Sequence, residues 1–320
     1  MNRTFMFGRS SRRPALAVPV RSVNKAVLLV LAVVLLTAAA CGGDSPEAED
    51  SPDSPSGAAA FEQPFTDVDA YPLFVNSEIV VGENRILVGI LNQDDAPIGS
   101  PEIEVSADLY DLEASTTEPV STMDLEFEWS IEDVTGVYVG HAAFPHAGKW
   151  GAEVSIQGEG IDETVKTSLT VAEEGSTPAL GATVPASDTP TLDDKPLKEL
   201  STDLHPDETF YETSVADALD AGRPFVLVFA TPKFCTSAVC GPTLDLVKDI
   251  AKGSSGIDFI HVEVYELPAD PSNLVPVPSA SEWGLPSEPW VFVVDGDGKL
   301  AAKYEGIVGA DELQEELETL

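Results

Sequence analysis

Phe225–Pro242 reads FVLVFATPKFCTSAVCGP. An unbroken apolar run, Pro224–Ala230, stops at Thr231-Pro232, and two cysteines follow with four residues between them, then Gly241-Pro242. A short continuous apolar run bounded by a breaker is the pattern of a strand covered on both faces. The chain after about residue 205 reads as a scaffold for this strand and its cysteines, and the chain before it as a means of holding that scaffold outside a membrane.

Outward from the run, the pattern predicts alternating helices and strands. Val215–Ala221 reads as a helix stopped by Gly222, and a helix is expected from about Ser237 to Lys252, with Leu244, Val247 and Ile250 at core spacing. Ile257–Tyr265 is rich in β-branched and aromatic residues and reads as a second strand. Ala280–Trp283 is a helical turn, Trp290–Val294 and Leu300–Tyr304 form a hairpin around Asp295-Gly-Asp-Gly, and Asp311–Leu320 is a closing amphipathic helix. With the apolar strand leading into Phe234-Cys235, Pro242 inside the cysteine helix, and Trp283-Gly284-Leu285 ahead of Pro289, this order resembles the thioredoxin fold. The resemblance implies an α/β domain over residues 205–320, with a central mixed sheet and flanking helices, and gives Pro289 the role of a cis-proline facing the active cysteine, with Pro286 as the second choice. The sequence departs from the family in having Cys-Thr-Ser-Ala-Val-Cys for Cys-x-x-Cys, Phe234 for Trp, and no buried acid within Val226–Phe229.

The spacing has a physical consequence. On an ideal helix, residues five apart have Cα atoms about 8.6 Å apart, whereas a disulfide needs less than about 7 Å. Cys235 must therefore lie in the loop before the helix and fold back, with Thr236 or Ser237 as N-cap, or the first turn must unwind on oxidation. Near a helix N-terminus, and with Lys233 close in sequence, Cys235 is the candidate attacking thiolate and Cys240 the resolving thiol. CTSAVC also resembles the pair of bacterioferritin-comigratory-type peroxiredoxins, although Pro232 stands where their pocket Thr and Pro are differently spaced. That likeness makes a thiol peroxidase one alternative. Another is a copper-binding or purely interacting module, with His261 as a distal ligand in the manner of Sco-type chaperones.

Tyr71–Val171 has a different texture: Leu73–Val81, Arg85–Leu91, Glu102–Leu109, Met123–Trp129, Gly136–Phe144, Trp150–Ile156 and Thr164–Val171 alternate apolar and polar residues between turn signals. This predicts an all-β sandwich of immunoglobulin type over 65–173. Gly136–Ile156, GVYVGHAAFPHAGKWGAEVSI, resembles a segment of the YtkA-like and CopC-like bacterial sandwich modules. His141 and His146 lie in it with Met123 nearby in sequence, and they are read as strand and turn residues, not as a metal site. Residues 174–204, rich in Pro, Thr and Ala, read as an interdomain linker, and residues 42–64 as a disordered acidic tether.

The formal net charge is −38, unevenly spread. Residues 1–40 hold no acid and six bases; the rest, near −44, holds 11 bases against 55 acids. Such a surface repels phosphates and excludes nucleic acid as an expected partner. The basic N-terminus and the apolar run Ala26–Ala40 read as a signal sequence. Its end, Ala38-Ala39-Ala40-Cys41, resembles a bacterial lipobox, which implies a lipoprotein signal segment over residues 1–41, cut before a lipidated Cys41 that becomes the mature N-terminus. Of three cysteines, that leaves Cys235 and Cys240 as one pair, and a loop this short adds little stability when closed. The expectation is a membrane-anchored, extracytoplasmic thiol–disulfide oxidoreductase acting on protein thiols and disulfides of the cell envelope, with no cofactor required.

Overall fold

In the computed structural model, residues 57–320 are described. The leader, Cys41 and most of the tether lie outside the described residues. The described residues make one compact unit.

Seven strands form the N-terminal half: β1 (Ala70–Phe74), β2 (Gly82–Asn92), β3 (Glu104–Asp111), β4 (Ser121–Ile131), β5 (Thr135–Phe144), β6 (Gly148–Gly158) and β7 (Ile161–Val171). They join in the order β1-β2-β5-β4-β3-β6-β7, every neighbour antiparallel. β4 belongs to both leaves of the sandwich: Ser121–Leu125 pairs with β3 and Glu126–Ile131 with β5. Alternation along β3 buries Val105, Ala107 and Leu109, and the core between the leaves gathers round Trp150, Phe144 and Tyr138. The first strand is earlier than its alternation suggests. Asn76 and Asn84 side chains bond the backbone of Arg85, Leu87 and Val80, holding 75–81 as a loop in place of a strand.

The second sheet has four strands: β8 (Phe225–Phe229), β9 (Asp258–Val262), β10 (Trp290–Val294) and β11 (Leu300–Glu305), in the order β11-β10-β8-β9. β8 and β9 are parallel; the other pairs are antiparallel. All five residues of β8 are fully buried, as its unbroken apolar pattern requires. Phe225, Leu227 and Phe229 face Trp283, Ala218 and Val215; Val226 and Val228 face Leu244, Val247 and Phe210.

The expected α/β thioredoxin-like domain is corrected here. The described residues are mostly β, eleven strands in two sheets. Their α-helices are short: α1 (Val215–Asp220), α2 (Cys240–Ala251), α3 (Pro278–Glu282) and α4 (Ala310–Leu317). Helices supply only part of the sheet's cover. The rest is 3-10 turn, carrying Phe210 and Tyr211, and irregular chain, carrying Val184 and Leu200. The described residues thus form a two-sheet, mostly β structure, and the oxidoreductase class taken from the thioredoxin likeness loses that support.

Residues 174–204 are likewise not a free linker. Gly181 and Val184 donate to Leu300 and Gly298 carbonyls, Leu300 donates back to Ala182, and Leu192 donates to Tyr211. Ser187 and Thr189 are buried and bond Trp283 Nε1 and the Val215 amide. The two sheets meet through charged contacts: Arg85 on β2 forks onto Glu312 of α4 at 2.8 and 2.9 Å, and Lys303 of β11 reaches Glu78 at 3.0 Å.

Candidate functional site

Cys235 and Cys240 are joined, with S–S 2.14 Å and Cα atoms 6.1 Å apart. The closure is local. The amides of Phe234 and Cys235 donate to the Thr231 carbonyl, and Ala238 takes a left-handed conformation, φ 62°, that turns the chain back. α2 therefore starts at Cys240, three residues later than its apolar spacing suggests. Val239 is at the N-cap, with no side-chain cap from Thr236 or Ser237. Pro242 then falls in the first turn, where its missing N–H costs no helical bond, so it does not kink the helix.

The two sulfurs are unlike. Cys240 is fully buried and Cys235 half-buried. The Cys240 amide donates to Cys235 Sγ at 3.3 Å, and the Ser237 hydroxyl lies 3.2 Å from the same sulfur. Opening the disulfide leaves Cys235 at the amino end of a 12-residue helix, facing one amide and one hydroxyl donor. Lys233 lies over the Phe234 ring at 5.4 Å.

Two clefts flank this turn. One, of about 650 Å³, runs between the turn and the sandwich. Phe234, Ser237 and Val239 form one side, and Val75, Leu87 and Val137 the other. A second, of about 850 Å³, opens onto Cys235 and is edged by Leu204, Pro232 and Lys233. Pro289 is buried and follows a cis peptide bond; Glu288 and Pro286, not Pro289 itself, line the first cleft.

Behind the turn lie groups that sequence reading missed. Glu263 is 4% exposed, and burial pushes its carboxyl up to about 7. Its Oε1 accepts from the Thr202 hydroxyl at 2.8 Å and from the Thr202 amide, while Oε2 is buried without a partner. Glu288 is also raised by burial, is felt electrostatically by Glu263, and likewise buries an unpartnered Oε2. No local signal marks either residue, because the two come together only when the chain after β9 meets the segment before β10.

His261 is 3% exposed, and burial pushes its imidazole down to about 4. Nε2 donates to the Ala230 carbonyl at 2.9 Å, so Nδ1 accepts from Tyr211 Oη at 2.6 Å. With both nitrogens engaged, His261 has no lone pair to offer copper. His146 pairs with Asp111 at 3.0 Å and the Ala147 carbonyl, His141 is exposed on β5, and Met123 is buried under Gly140. Among the described residues no group of three or more His, Cys, Asp or Glu is placed to hold a metal ion. No described helix is long and apolar enough to cross a membrane.

No protein-family model and no curated protein matches the sequence. Among solved structures, the chain is similar to a DUF4426 family protein from Pseudomonas aeruginosa. That match has 16% identity and a TM-score of 0.25, and covers 35% of this chain and 96% of that one. It is also similar to the Lin-41 filamin domain, at 11% identity and a TM-score of 0.21, over 32% of this chain and 92% of that one.

Proposed function

We propose that Cys235 and Cys240 carry out reversible thiol–disulfide exchange, on a protein held at the outer face of a membrane through a lipidated Cys41. The asymmetry of the pair carries this reading: one sulfur is reachable and faced by two donors, and its partner is fully buried. A closed loop with sequence separation 5 contributes little stability, which favours redox use over a purely structural role.

In the reducing direction, the Cys235 thiolate attacks one sulfur of a client disulfide. A protein–client disulfide forms and the other client sulfur leaves as a thiolate. Cys240 then loses its proton, attacks Cys235 Sγ, and releases the second client thiolate as the intramolecular disulfide re-forms. The oxidising direction is the reverse, and the reduction potential of the pair against that of the client sets which one runs. The test is equilibration with dithiothreitol redox buffers. The reading requires a single two-electron transition and, in Cys240→Ser, a mixed disulfide trapped on Cys235. A pair that stays oxidised through the whole range, or no trapped species, would refute it.

A further inference from the structure

Cys235 itself lines the 850 Å³ cleft, and one wall of that cleft comes from the stretch whose composition reads as a linker. Lys198, Thr202 and Leu204 form this wall; Lys233 and Cys235 belong to the facing turn. Space is open over the disulfide, since a Cβ built on Gly241 would meet nothing within 4 Å. Leu204 is 88% exposed, a large apolar side chain left bare at the rim, with Pro232 and Leu267 also in the lining.

The charge of the lining points to one kind of occupant. Arg85, Lys248 and Lys303 each meet a carboxylate, whereas Lys198 and Lys233 are exposed and make no ion pair among the described residues. Neither lysine hangs on a loose segment. Lys198 sits on the 3-10 turn Leu197–Glu199, which Leu197 and Leu200 pin to the core. The Lys233 amide donates to Thr202 Oγ1 at 3.2 Å, and its ammonium stands 5.4 Å from the centre of the Phe234 ring. The carboxylates of the lining, Asp203 and Asp245, share the buried Lys248 at 2.6 and 2.7 Å. Three cations thus face two carboxylates beside Cys235, in a chain of formal net charge −38. Two unpaired ammonium groups and a bare leucine next to the reachable sulfur suit a chain segment that carries both acidic and apolar side chains.

Resting on the exchange reading, we propose that this cleft is the client site, in which Lys198, Lys233 and Leu204 select polypeptide segments whose cysteine is flanked by apolar and acidic residues. The connecting stretch is then part of the specificity of the site and not a spacer.

The experiment follows reduction of the oxidised full chain by short peptides, each with one cysteine between leucine and valine, one carrying two glutamates and the other two arginines. The first peptide thiolate attacks Cys235 Sγ, the Cys235–Cys240 bond breaks, and Cys240 leaves as a thiolate. A second peptide thiolate then displaces Cys235 and forms the peptide disulfide, so that the pair gains the two electrons the peptides lose. Each rate is divided by that of the same peptide with hydroxyethyl disulfide, which removes the effect of the peptide's charge on its own thiol. The glutamate peptide is expected to react roughly fivefold faster, with the ratio shrinking as salt rises. In the double variant Lys198→Gln, Lys233→Gln the ratio falls to one or below, and Leu204→Ser slows both peptides alike, with folding checked by circular dichroism. Equal rates, a faster arginine peptide, a ratio that the double variant leaves untouched, or rates that Leu204→Ser leaves untouched would overturn the client site while leaving exchange with dithiothreitol intact. Failure of dithiothreitol itself to reduce the pair would remove the exchange reading, and the client site with it.

Discussion

Two buried groups near the sheet titrate in opposite senses, and their cancellation can be exposed by one substitution. Burial raises Glu263 from 4.5 to about 7 and lowers His261 from 6.5 to about 4. A raised carboxyl contributes stability that is fully present below 4.5 and is lost as pH climbs through 7. A depressed imidazole does the reverse: its contribution is present above 6.5 and is lost as pH falls toward 4. At about 1.36 kcal/mol per unit, each is worth on the order of 3 kcal/mol across its window. Glu288, also raised, adds to the sense of Glu263. The wild-type protein should therefore show nearly flat, slightly falling stability between pH 4.5 and 6.5. Glu263→Gln keeps an oxygen for Thr202 but cannot ionise, so the His261 term is left exposed. Its unfolding free energy, from urea titrations of the oxidised protein, should rise by about 2–3 kcal/mol over the same window. Comparing slopes within each variant removes any constant cost of the mutation. A Glu263→Gln profile parallel to wild type would show that Glu263 does not titrate in that range and would refute the reasoning.

Ser237→Ala removes one of the two donors facing Cys235 Sγ, and attack by Cys235 on a client disulfide should slow roughly fivefold to tenfold in stopped-flow assays. Gly284 has φ +64°, and a Cβ there would sit 1.9 Å from the Ser176 carbonyl oxygen. Gly284→Ala should therefore lower stability by about 2–4 kcal/mol, read from the urea midpoint. Arg85→Met strips Glu312 of its forked partner between the sheets and should cost about 2–4 kcal/mol, with a coupling above 1 kcal/mol in a double-mutant cycle with Glu312→Gln. Reduction should change amide exchange at Thr236–Val239, because the left-handed turn at Ala238 is part of ring closure; equal protection in both redox states would refute that coupling.

The legible parts of this molecule are those governed by local pattern. The β8 run showed double-sided burial directly, and the alternation from Arg85 to Val171 placed most sandwich strands to within a few residues. The arithmetic of five residues against a disulfide's reach required Cys235 to leave the helix, and it does. The start of α2 was misplaced because ring closure, not capping preference, decides where the helix begins. The composition of 174–204 suggested freedom, but its backbone donors find acceptors at the edge of the second sheet, and composition does not show such distant partners. Glu263 and Glu288 went unmarked for the same reason, since the contacts that bury them come from distant segments. The cleft between the cysteine turn and the sandwich arises from how two sheets meet, which no short window of sequence records.

The stitched course of residues 174–204 also bears on how the protein can be divided. Thr177 bonds Lys303 and Glu78, and Val184 is packed in the core beneath the second sheet. A cut at either end of this stretch leaves one half with an uncovered hydrophobic seam or the other with a tail torn from its anchors. The two halves cannot be shuffled like beads on a thread. Any rearrangement of this architecture has to carry the connecting strap along with the sheet it braces.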